Sequence, residues 1–524
     1  MVFSEGAPSS SHCDTAFGMH VFIPAEIIIS IFDNLDWRTL VRCSAVCRFW
    51  KQFIRESLSL QYKIELGADG LVNGPSGGLP VPERIRALHA RRAAWRSLAF
   101  RRKVTIPVPG ECHAYELVGG VFAKAMHRDG SLGMGLTPNP GSRHFNMIKL
   151  PTPTGESETV VREDIGMLCR DFAIDPTQDL IALVEQPDAE SPSVSVHLRT
   201  ISTNEKHPTT SVPVITQSLK ASFDGAEIQI CEDVIAVVSE LSSSAYRYCI
   251  DFSLISNYAF MMTCRSSPGS IKVYTFRAFG STTPMMTCTD LLLPMLQPNN
   301  HYAEIHSHTA PFTANVPKGA PFGTSEDARI HVLSIVTLPA PPPHSNSDSE
   351  LGVPPMGHPA SFIVIVLNRI LLKYADAQRD CALNLARGVH LEVPWEDWGP
   401  RHTRWLNERS SHAWLRYVHG PRLVLDFHIH PLRADNDDRA REAADAAEPD
   451  VPYTHRLILG PSVLRNRAVF KGGGVESRLP YREVTLKAEV GPYSGFMIDE
   501  ERVIGLSAST FTNGDMKQVD VFTF

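Results

Sequence analysis

From Val104 to Phe524 the sequence is dominated by short apolar runs that alternate with polar residues and end at turn residues. In Asp171–Glu185, for example, two such runs flank an Asp175-Pro176 pair. A period of two places alternate side chains on one face of a β-strand, so this segment predicts two strands joined by a turn. Because nearly the whole remainder follows the same pattern, the sequence predicts a large all-β domain.

The length of this region limits the architectures that can hold it. Roughly 420 residues of strand and turn are too many for one sandwich, whereas blades of about 40 to 60 residues would number about six to eight. The predicted fold is therefore a β-propeller, and longer apolar runs such as Phe362–Tyr374 are predicted to be its strands. The repeat is degenerate, because regular Gly-His and Trp-Asp dipeptides are absent and Trp395-Glu-Asp-Trp398 is not the WD-repeat signature.

Composition and charge argue against several classes of protein. The formal net charge of −7 provides no global basic field for a nucleic-acid backbone or an anionic membrane. The longest apolar stretches fall short of the roughly 20 residues that span a bilayer, and Met1–Asp14 lacks the pattern of a secretory signal. The ten cysteines contain no Cys-x-x-Cys pair and are predicted to be reduced thiols. We therefore expect a protein of the cytoplasm and/or the nucleus, without nucleic-acid or membrane partners.

The amino-terminal segment from Phe22 to Glu56 follows a different period. Its apolar residues recur every three or four positions, which is the spacing of amphipathic helices. Pro24 is tolerated in the first turn of a helix, and Asp36 is suited to cap the next helix. The pattern predicts three short helices. Because so few residues cannot bury a large core of their own, their apolar faces need a partner.

Three motifs in this segment resemble the consensus of the F-box family. Phe22-Ile-Pro-Ala-Glu-Ile27 resembles the Leu-Pro-x-Glu-Ile start, and Ile31-Phe-Asp-Asn-Leu35 resembles the Ile-Phe-x-x-Leu motif. Val46-Cys-Arg-Phe-Trp50 resembles the Val-Cys-Arg-x-Trp motif. Only the opening leucine differs, and Ile23 replaces it with little change of volume. With its long β-rich remainder, the chain also resembles the large F-box families of mushroom-forming fungi.

This resemblance implies a role in Skp/cullin/F-box ubiquitin ligases. In that family the three helices bind the Skp-family adaptor and, through it, the cullin, while the rest of the chain binds a target protein. The chain itself would be a non-catalytic subunit without a cofactor. An apolar helical stripe without its own core is also what helix-in-groove binding requires. The resemblance carries the adaptor-binding role to Pro24, Ile27, Ile28, Ile31, Phe32, Leu35, Leu40, Val46 and Trp50.

The predicted organisation is α+β and multidomain. Two segments, near 339–361 and 434–450, have the composition of disordered insertions within the all-β domain. The predicted parts are a disordered start at 1–20, a three-helix F-box at 21–60, a linker at 61–103 with a helix at 82–102, and the propeller-like domain at 104–524.

The segment from Val393 to Tyr417 contains four of the seven tryptophans. Aromatic and arginine residues dominate binding hot spots, so this segment is a candidate for contact with the target protein. The alternative is that these side chains fill the space between blades. The candidate substrate-binding residues are Trp395, Trp398, Arg401, Arg404 and Trp405.

Other motifs give weaker signals of chemistry. His428 and His430 have a spacing that metal sites can use, but no third ligand is identifiable and no metal is predicted. The triple glycine at 472–474 lacks the Lys-Ser/Thr of a phosphate loop, and the segment 505–509 lacks the second glycine of a nucleophile elbow. We therefore expect no catalytic site.

Two alternative functions stay open at the level of the sequence. The chain could be a propeller interaction scaffold whose F-box binds the adaptor without delivering a substrate for ubiquitination. It could also be a propeller hydrolase with an appended F-box, which would require convergent acid and base residues in a pocket.

Overall fold

The chain divides into two compact units, Met1–Ala68 and Asp69–Phe524. The segment predicted to be disordered at 1–20, and nearly all of those near 339–361 and 434–450, lie outside the described residues. The computed structural model describes residues 24–75, 79–127, 141–153, 155–186, 193–219, 223–241, 249–276, 287–317, 319–339, 359–385, 390–407, 416–425, 453–487, 491, 493–506 and 516–524.

The described part of the first unit is helical. Asp36 caps the second helix as predicted, because its Oδ1 accepts hydrogen bonds from the backbone N–H groups of Arg38 at 2.9 Å and Thr39 at 3.1 Å. Hydrogen bonds from Thr39 hold the pKa of the Asp36 carboxyl below its usual range. The helices are α1 (Ala25–Asp33), α2 (Trp37–Ser44), α3 (Arg48–Glu56) and α4 (Leu58–Ala68).

A small apolar core holds these four helices together. Phe32 of α1 contacts the ring of Trp50 of α3 edge-on, with ring centroids 5.4 Å apart. Phe53 of α3 also contacts Phe32 edge-on. Each helix contributes one fully buried residue to this core, and these residues are Phe32, Leu40, Ile54 and Leu60.

In the second unit a short strand, Leu71–Asn73, precedes the helix α5 (Val81–Ser97). Leu98 adopts a left-handed conformation with φ of 48° and ends the helix, so α5 is shorter than the predicted 82–102. Trp95 on α5 stacks on Phe524 with ring centroids 4.2 Å apart. Arg92 on α5 contacts Asp69 at 2.9 Å. Two more α-helices of this unit are α6 (Asn368–Leu385) and α7 (Trp395–His402).

Apart from these helices and a short 3-10 helix, Glu326–Ala328, the described second unit is mostly strand and turn, as the period of two predicted. The strands are β1 (Leu71–Asn73), β2 (Arg102–Pro107), β3 (Glu111–Val118), β4 (Val121–His127), β5 (His144–Lys149), β6 (Glu158–Arg162), β7 (Cys169–Asp175), β8 (Leu180–Glu185), β9 (Ser193–Thr200), β10 (Val214–Ser218), β11 (Phe223–Cys231), β12 (Val234–Leu241), β13 (Cys249–Ser256), β14 (Ala259–Cys264), β15 (Ser270–Thr275), β16 (Thr287–Leu292), β17 (Asn300–His308), β18 (Phe322–Thr324), β19 (Ile330–Pro339), β20 (Ala360–Leu367), β21 (His390–Val393), β22 (Thr403–Asn407), β23 (Val418–His419), β24 (Arg422–Leu423), β25 (Tyr453–Ile458), β26 (Ser462–Arg465), β27 (Gly474–Ser477), β28 (Tyr481–Leu486), β29 (Gly495–Ile498), β30 (Arg502–Leu506) and β31 (Gln518–Thr523).

Five sheets of four or five strands form the blades of a propeller-like arrangement. Consecutive strands pair antiparallel within most blades, which is the connection that short turns allow. In hydrogen-bonding order they are blade A (β2-β31-β30-β29), blade B (β3-β4-β5-β6), blade C (β7-β8-β9-β10), blade D (β13-β14-β15-β16-β21) and blade E (β17-β19-β20-β22).

The five blades are fewer than the six to eight predicted. Two shorter pairs, β11-β12 and β23-β24, have only two strands each in the described residues. They lie next to complete blades, since β11 contacts β7 and β13, while β23 contacts β19 and β29. The predicted number of blades was obtained by dividing the whole length of the β-rich region by the length of one blade, so it counted residues that do not belong to blades. The helices α6 and α7 and the pairs β25-β28 and β26-β27 occupy residues outside the blades.

Blade A joins the two ends of the β-rich region. Its strand β2 pairs antiparallel with β31, from Arg102 opposite Thr523 to Pro107 opposite Gln518. The side chain of Thr105 also donates a hydrogen bond to Asp520, 415 positions away, at 2.5 Å. This pairing joins the first strand of the β-rich region to its last strand within one blade.

The run Phe362–Tyr374, predicted to be a strand, is a strand only as far as Leu367. The helix α6 starts at Asn368, whose buried amide nitrogen donates to the backbone oxygen of Ile255 at 3.0 Å. The same amide contacts the ring of His331 at 3.0 Å. The strand prediction was wrong here because a continuous apolar run fits a buried strand and a buried helix equally well.

No helix in the part of the chain that the structure describes is both long and apolar enough to span a bilayer.

Candidate functional site

The first unit exposes several of the predicted adaptor-binding residues. Ile27 and Ile31 lie one turn apart on α1, and about half of each side chain is exposed, 52% and 50% respectively. Val46, between α2 and α3, is 66% exposed, and Pro24 at the start of α1 is also exposed. Exposed apolar side chains of this size on short helices are typical of a surface that binds another protein.

The other predicted adaptor-binding residues face the core of the unit to different degrees. Phe32 and Leu40 are fully buried, so from these positions they support the helices and do not reach a partner. Ile28, Leu35 and Trp50 are half-buried at the edge of the same core. Periodicity identified the apolar positions but did not separate the inward side chains from the outward ones.

Three exposed apolar side chains of this unit were missed at the level of the sequence. Val41 on α2, Phe49 on α3 and Leu58 on α4 are 44%, 60% and 51% exposed. Phe49 packs its ring at 5.9 Å from that of Phe53, which in turn contacts Phe32. The sequence shows that these three residues are apolar, but their exposure depends on how the helices pack, so only the structure reveals it.

A family model described as F-box-like matches residues 21–65. These residues form an F-box-like domain. The match confirms the resemblance of the three motifs and extends beyond residue 60 into α4. No curated protein matches the chain at a significant level. The chain thus joins an F-box-like domain to a propeller-like region, a combination that supports a substrate-receptor role in general.

The candidate substrate-binding tryptophans lie inside the second unit. Trp395, Trp398 and Trp405 are at most 7% exposed, and the ring of Trp395 packs edge-on against the rings of both others. The indole N–H of Trp398 donates to the backbone oxygen of Leu292 at 2.8 Å, which fixes it in the core. These residues fill space around blades D and E, and from there they cannot contact a target protein.

The two arginines of the same segment differ in their surroundings. Arg404 is 1% exposed and donates to the backbone oxygen of Leu479 at 2.7 Å and to the hydroxyl of Ser462 at 2.6 Å. Its guanidinium also lies over the ring of Tyr481. Arg404 is therefore a structural residue that ties blade E to the strands β25–β28. Arg401, on α7, is exposed and is the one member of the candidate set that a partner could reach.

A carboxylate cluster occupies the first strands of neighbouring sheets and was missed at the level of the sequence. It consists of Glu116 on β3, Asp171 on β7, Glu227 on β11 and Asp251 on β13, and these strands contact one another in that order. Arg416 binds Glu116 through two hydrogen bonds of 2.5 Å. The Glu116 side chain is only 4% exposed, so this ion pair is buried.

Desolvation raises the pKa values of three members of this carboxylate cluster, Asp171, Glu227 and Asp251. The pKa of Asp171 rises to about 7, first because burial disfavours its charge and then because Glu116 and Glu227 are near. Desolvation and the charge of Asp251 raise the pKa of Glu227 to about 7. Desolvation also raises the pKa of Asp251 to about 6. Arg416 opposes these shifts for Asp171 and Glu227.

A repeated local structure positions two of these carboxylates. The sequences Cys169-Arg-Asp-Phe172 and Cys249-Ile-Asp-Phe252 both contain a β-bulge between the cysteine and the aspartate. In both, the aspartate Oδ1 accepts a hydrogen bond of 2.8 Å from the next backbone N–H. This Cys-x-Asp-Phe repeat, 80 positions apart, was the signal in the sequence that could have indicated the cluster.

The raised pKa of Asp171 can be tested by comparing the pH dependence of stability of Asp171→Asn with that of the parent chain. A carboxyl whose pKa is raised in the folded chain binds more protons when folded, so stability falls as the pH rises from about 4 through about 7. The asparagine keeps the hydrogen-bond acceptor without the charge. We expect urea unfolding to show that the variant gains about 1 to 3 kcal/mol relative to the parent chain between about pH 5 and pH 8. Asp233 is exposed, so Asp233→Asn should have the same pH profile of stability as the parent chain. An unchanged profile in Asp171→Asn would contradict the raised pKa of Asp171.

Among the described residues, one group of side chains has ligand atoms close enough to hold a metal ion, and the sequence did not indicate it. His428 and His430 lie outside the described residues. Cys288, Asp290 and His390 have ligand atoms within 4.8 Å of one another, which is close enough to hold one metal ion. Sequence spacing did not indicate this group because His390 is 100 positions from Asp290 and meets it only through strand pairing.

Proposed function

We propose that the chain is the non-catalytic substrate-recognition subunit of an SCF-type cullin-RING ubiquitin ligase. In this proposal the F-box-like domain binds a Skp-family adaptor, and the propeller-like region binds the target protein. The observation that carries it is the pair of half-exposed isoleucines on α1, Ile27 and Ile31, within residues that match the F-box-like model. Ubiquitin transfer belongs to other subunits, and this chain supplies proximity by raising the effective concentration of the target.

The distribution of apolar side chains supports a binding role for the F-box-like domain. Phe32, Leu40, Ile54 and Leu60 already satisfy the internal core of the four helices. Other apolar side chains of the same helices remain exposed, and their exposure to water is unfavourable unless a partner covers them. They are Ile27, Ile31, Val41, Val46 and Phe49. An apolar groove on an adaptor protein is the kind of surface that binds exposed apolar side chains of helices.

The propeller-like region supports the target-binding half of the proposal through its architecture. Its strands are tied into blades, and the pairing of β2 with β31 closes the region between its two ends. Rigid scaffolds of this kind present loops for recognition, and target specificity would reside in those loops. In this proposal the buried tryptophans Trp395, Trp398 and Trp405 would contribute only to the stability of the scaffold and not to target binding.

The test is an affinity purification of the tagged full-length chain from cells of its own species, with bound proteins identified by mass spectrometry. The parent chain is compared with Ile27→Asp/Ile31→Asp. We expect the adaptor and the cullin to copurify with the parent chain only, while candidate target proteins copurify with both forms. Adaptor without cullin would favour the interaction scaffold over the ligase subunit. Absence of the adaptor from both forms would overturn the proposal.

A further inference from the structure

Three side chains of blade D converge although the sequence separates them. Cys288 and Asp290 lie two positions apart on β16, so they project from the same face of the strand. The strand β21 pairs parallel with β16 and places His390 directly opposite Cys288. The thiol of Cys288 donates to Asp290 Oδ1 at 3.2 Å, and His390 Nε2 lies 3.4 Å from the same oxygen.

We propose that Cys288, Asp290 and His390 bind one Zn²⁺ ion. Tetrahedral zinc with bonds of about 2.0 to 2.3 Å separates its ligand atoms by about 3.3 to 3.6 Å. Asp290 Oδ1 lies 3.2 Å from Cys288 Sγ and 3.4 Å from His390 Nε2, which is close to those values, and all three ligand atoms lie within 4.8 Å of one another. Small side-chain rotations therefore complete three zinc ligands, and a water molecule takes the fourth position.

The two carboxylate oxygens of Asp290 have different surroundings, and the one that faces Cys288 and His390 is not the one that pairs with Lys272. Lys272, opposite Asp290 on β15, pairs with Oδ2. Oδ1 is the oxygen that faces both Cys288 and His390. A ligating carboxylate that is held by a second hydrogen-bonding group is the usual arrangement in metal sites. The Asp290 side chain is only 8% exposed, so its position is fixed by the sheet.

Two further residues hold the cysteine strand in place. Tyr274 lies opposite Cys288 on β15 and hydrogen-bonds its side chain. Gln378 of α6 donates to the hydroxyl of Thr289 at 2.9 Å, between the two β16 ligands. The ligands on β16 are therefore preorganised, and His390, which is 55% exposed, is the ligand that adjusts.

The donor set selects the kind of metal. A thiolate is a soft ligand and an imidazole a borderline one, and this combination favours Zn²⁺ over Ca²⁺ or Mg²⁺, which prefer oxygen ligands. Zinc displaces the thiol proton that Cys288 otherwise donates to Asp290. In the described residues β21 pairs only with β16, so the ion would fasten this added strand to blade D.

The test uses the purified full-length chain, stripped with a chelator and titrated with Zn²⁺ and, in parallel, with Co²⁺ as a spectroscopic substitute. We expect one Zn²⁺ per chain and a thiolate-to-Co²⁺ charge-transfer absorption. Cys288→Ser should lose that absorption. His390→Gln should weaken Zn²⁺ binding at least about tenfold, and the exposure of His390 makes damage to the fold a small concern.

Matched substitutions elsewhere in the same unit serve as controls. Cys112→Ser and His301→Gln remove the same two residue types without touching the proposed site, and both should bind Zn²⁺ like the parent chain. Circular dichroism of the metal-free variants establishes that each is folded. Failure of the folded parent chain to bind Zn²⁺, or equal binding by parent, Cys288→Ser and His390→Gln, would overturn the proposal.

Discussion

Ile27→Asp combined with Ile31→Asp should weaken binding of the purified Skp-family adaptor to the full-length chain by at least about 1,000-fold. Large apolar anchors typically contribute about 2 kcal/mol or more each, and 1.4 kcal/mol corresponds to a tenfold change in affinity. Each aspartate also brings a charge that would be desolvated in an apolar groove. Isothermal titration calorimetry on both forms measures the loss directly.

The fold of the F-box-like domain should survive this double substitution, because about half of each isoleucine side chain is exposed. Ser30→Asp/Asn34→Asp is the matched control, since it adds two charges four positions apart, at the exposed Ser30 on α1 and the exposed Asn34 that caps its end, without removing apolar surface. This control should retain most of the affinity. An equal loss in both double variants would show that charge on α1, and not the loss of apolar contact, disrupts binding.

Arg416→Met should lower the free energy of unfolding of the second unit by about 3 to 5 kcal/mol at neutral pH. The substitution removes the guanidinium that holds Glu116 through two hydrogen bonds and leaves a carboxylate that is 4% exposed without its cation. It also removes a positive charge that lowers the pKa values of Asp171 and Glu227, so the charged forms of both carboxylates become less favourable. Urea unfolding monitored by far-UV circular dichroism measures the change.

The double variant Glu116→Leu/Arg416→Met separates the ion pair from the packing around it. Replacing both partners by apolar residues removes the uncompensated charge, so we expect most of the lost stability to return. Arg478→Met is the matched control, because Arg478 pairs with Glu476 at 2.5 Å but about half of its side chain is exposed. Its effect should stay within about 1 kcal/mol. A comparable loss in Arg416→Met and Arg478→Met would contradict the role assigned to burial.

The first three helices of the F-box-like domain were predictable because their signals are local, whereas the fourth helix, α4, was not predicted. A period of three to four residues, the cap at Asp36 and the motif ending at Trp50 all lie within one short segment. The same local pattern assigned Phe32 and Leu40 to the adaptor surface, although they are buried in the core. Periodicity reports which positions are apolar, whereas burial depends on which neighbouring helix covers each face.

The strand content of the second unit was equally predictable, but its pairings were not. The run that ends at Leu367 continues as the helix α6, and the candidate target-binding tryptophans Trp395, Trp398 and Trp405 form part of the core. Composition alone cannot distinguish an aromatic cluster on a surface from one between sheets, because both positions favour large apolar rings.

The amino-acid sequence by itself determined the first three helices of the F-box-like domain and the β-rich character of the remainder, because both follow from the period of apolar residues along the chain. The propeller-like class of fold followed from the length of the β-rich region. Only the tertiary structure decided the number of blades, the closure of β2 on β31, the ion pair of Glu116 with Arg416 and the meeting of Asp290 with His390. These features join residues that lie 100 to more than 400 positions apart, as in the 415 positions between Thr105 and Asp520. Contacts of this kind depend on how sheets pack and close, and no local pattern specifies which distant strand becomes the neighbour.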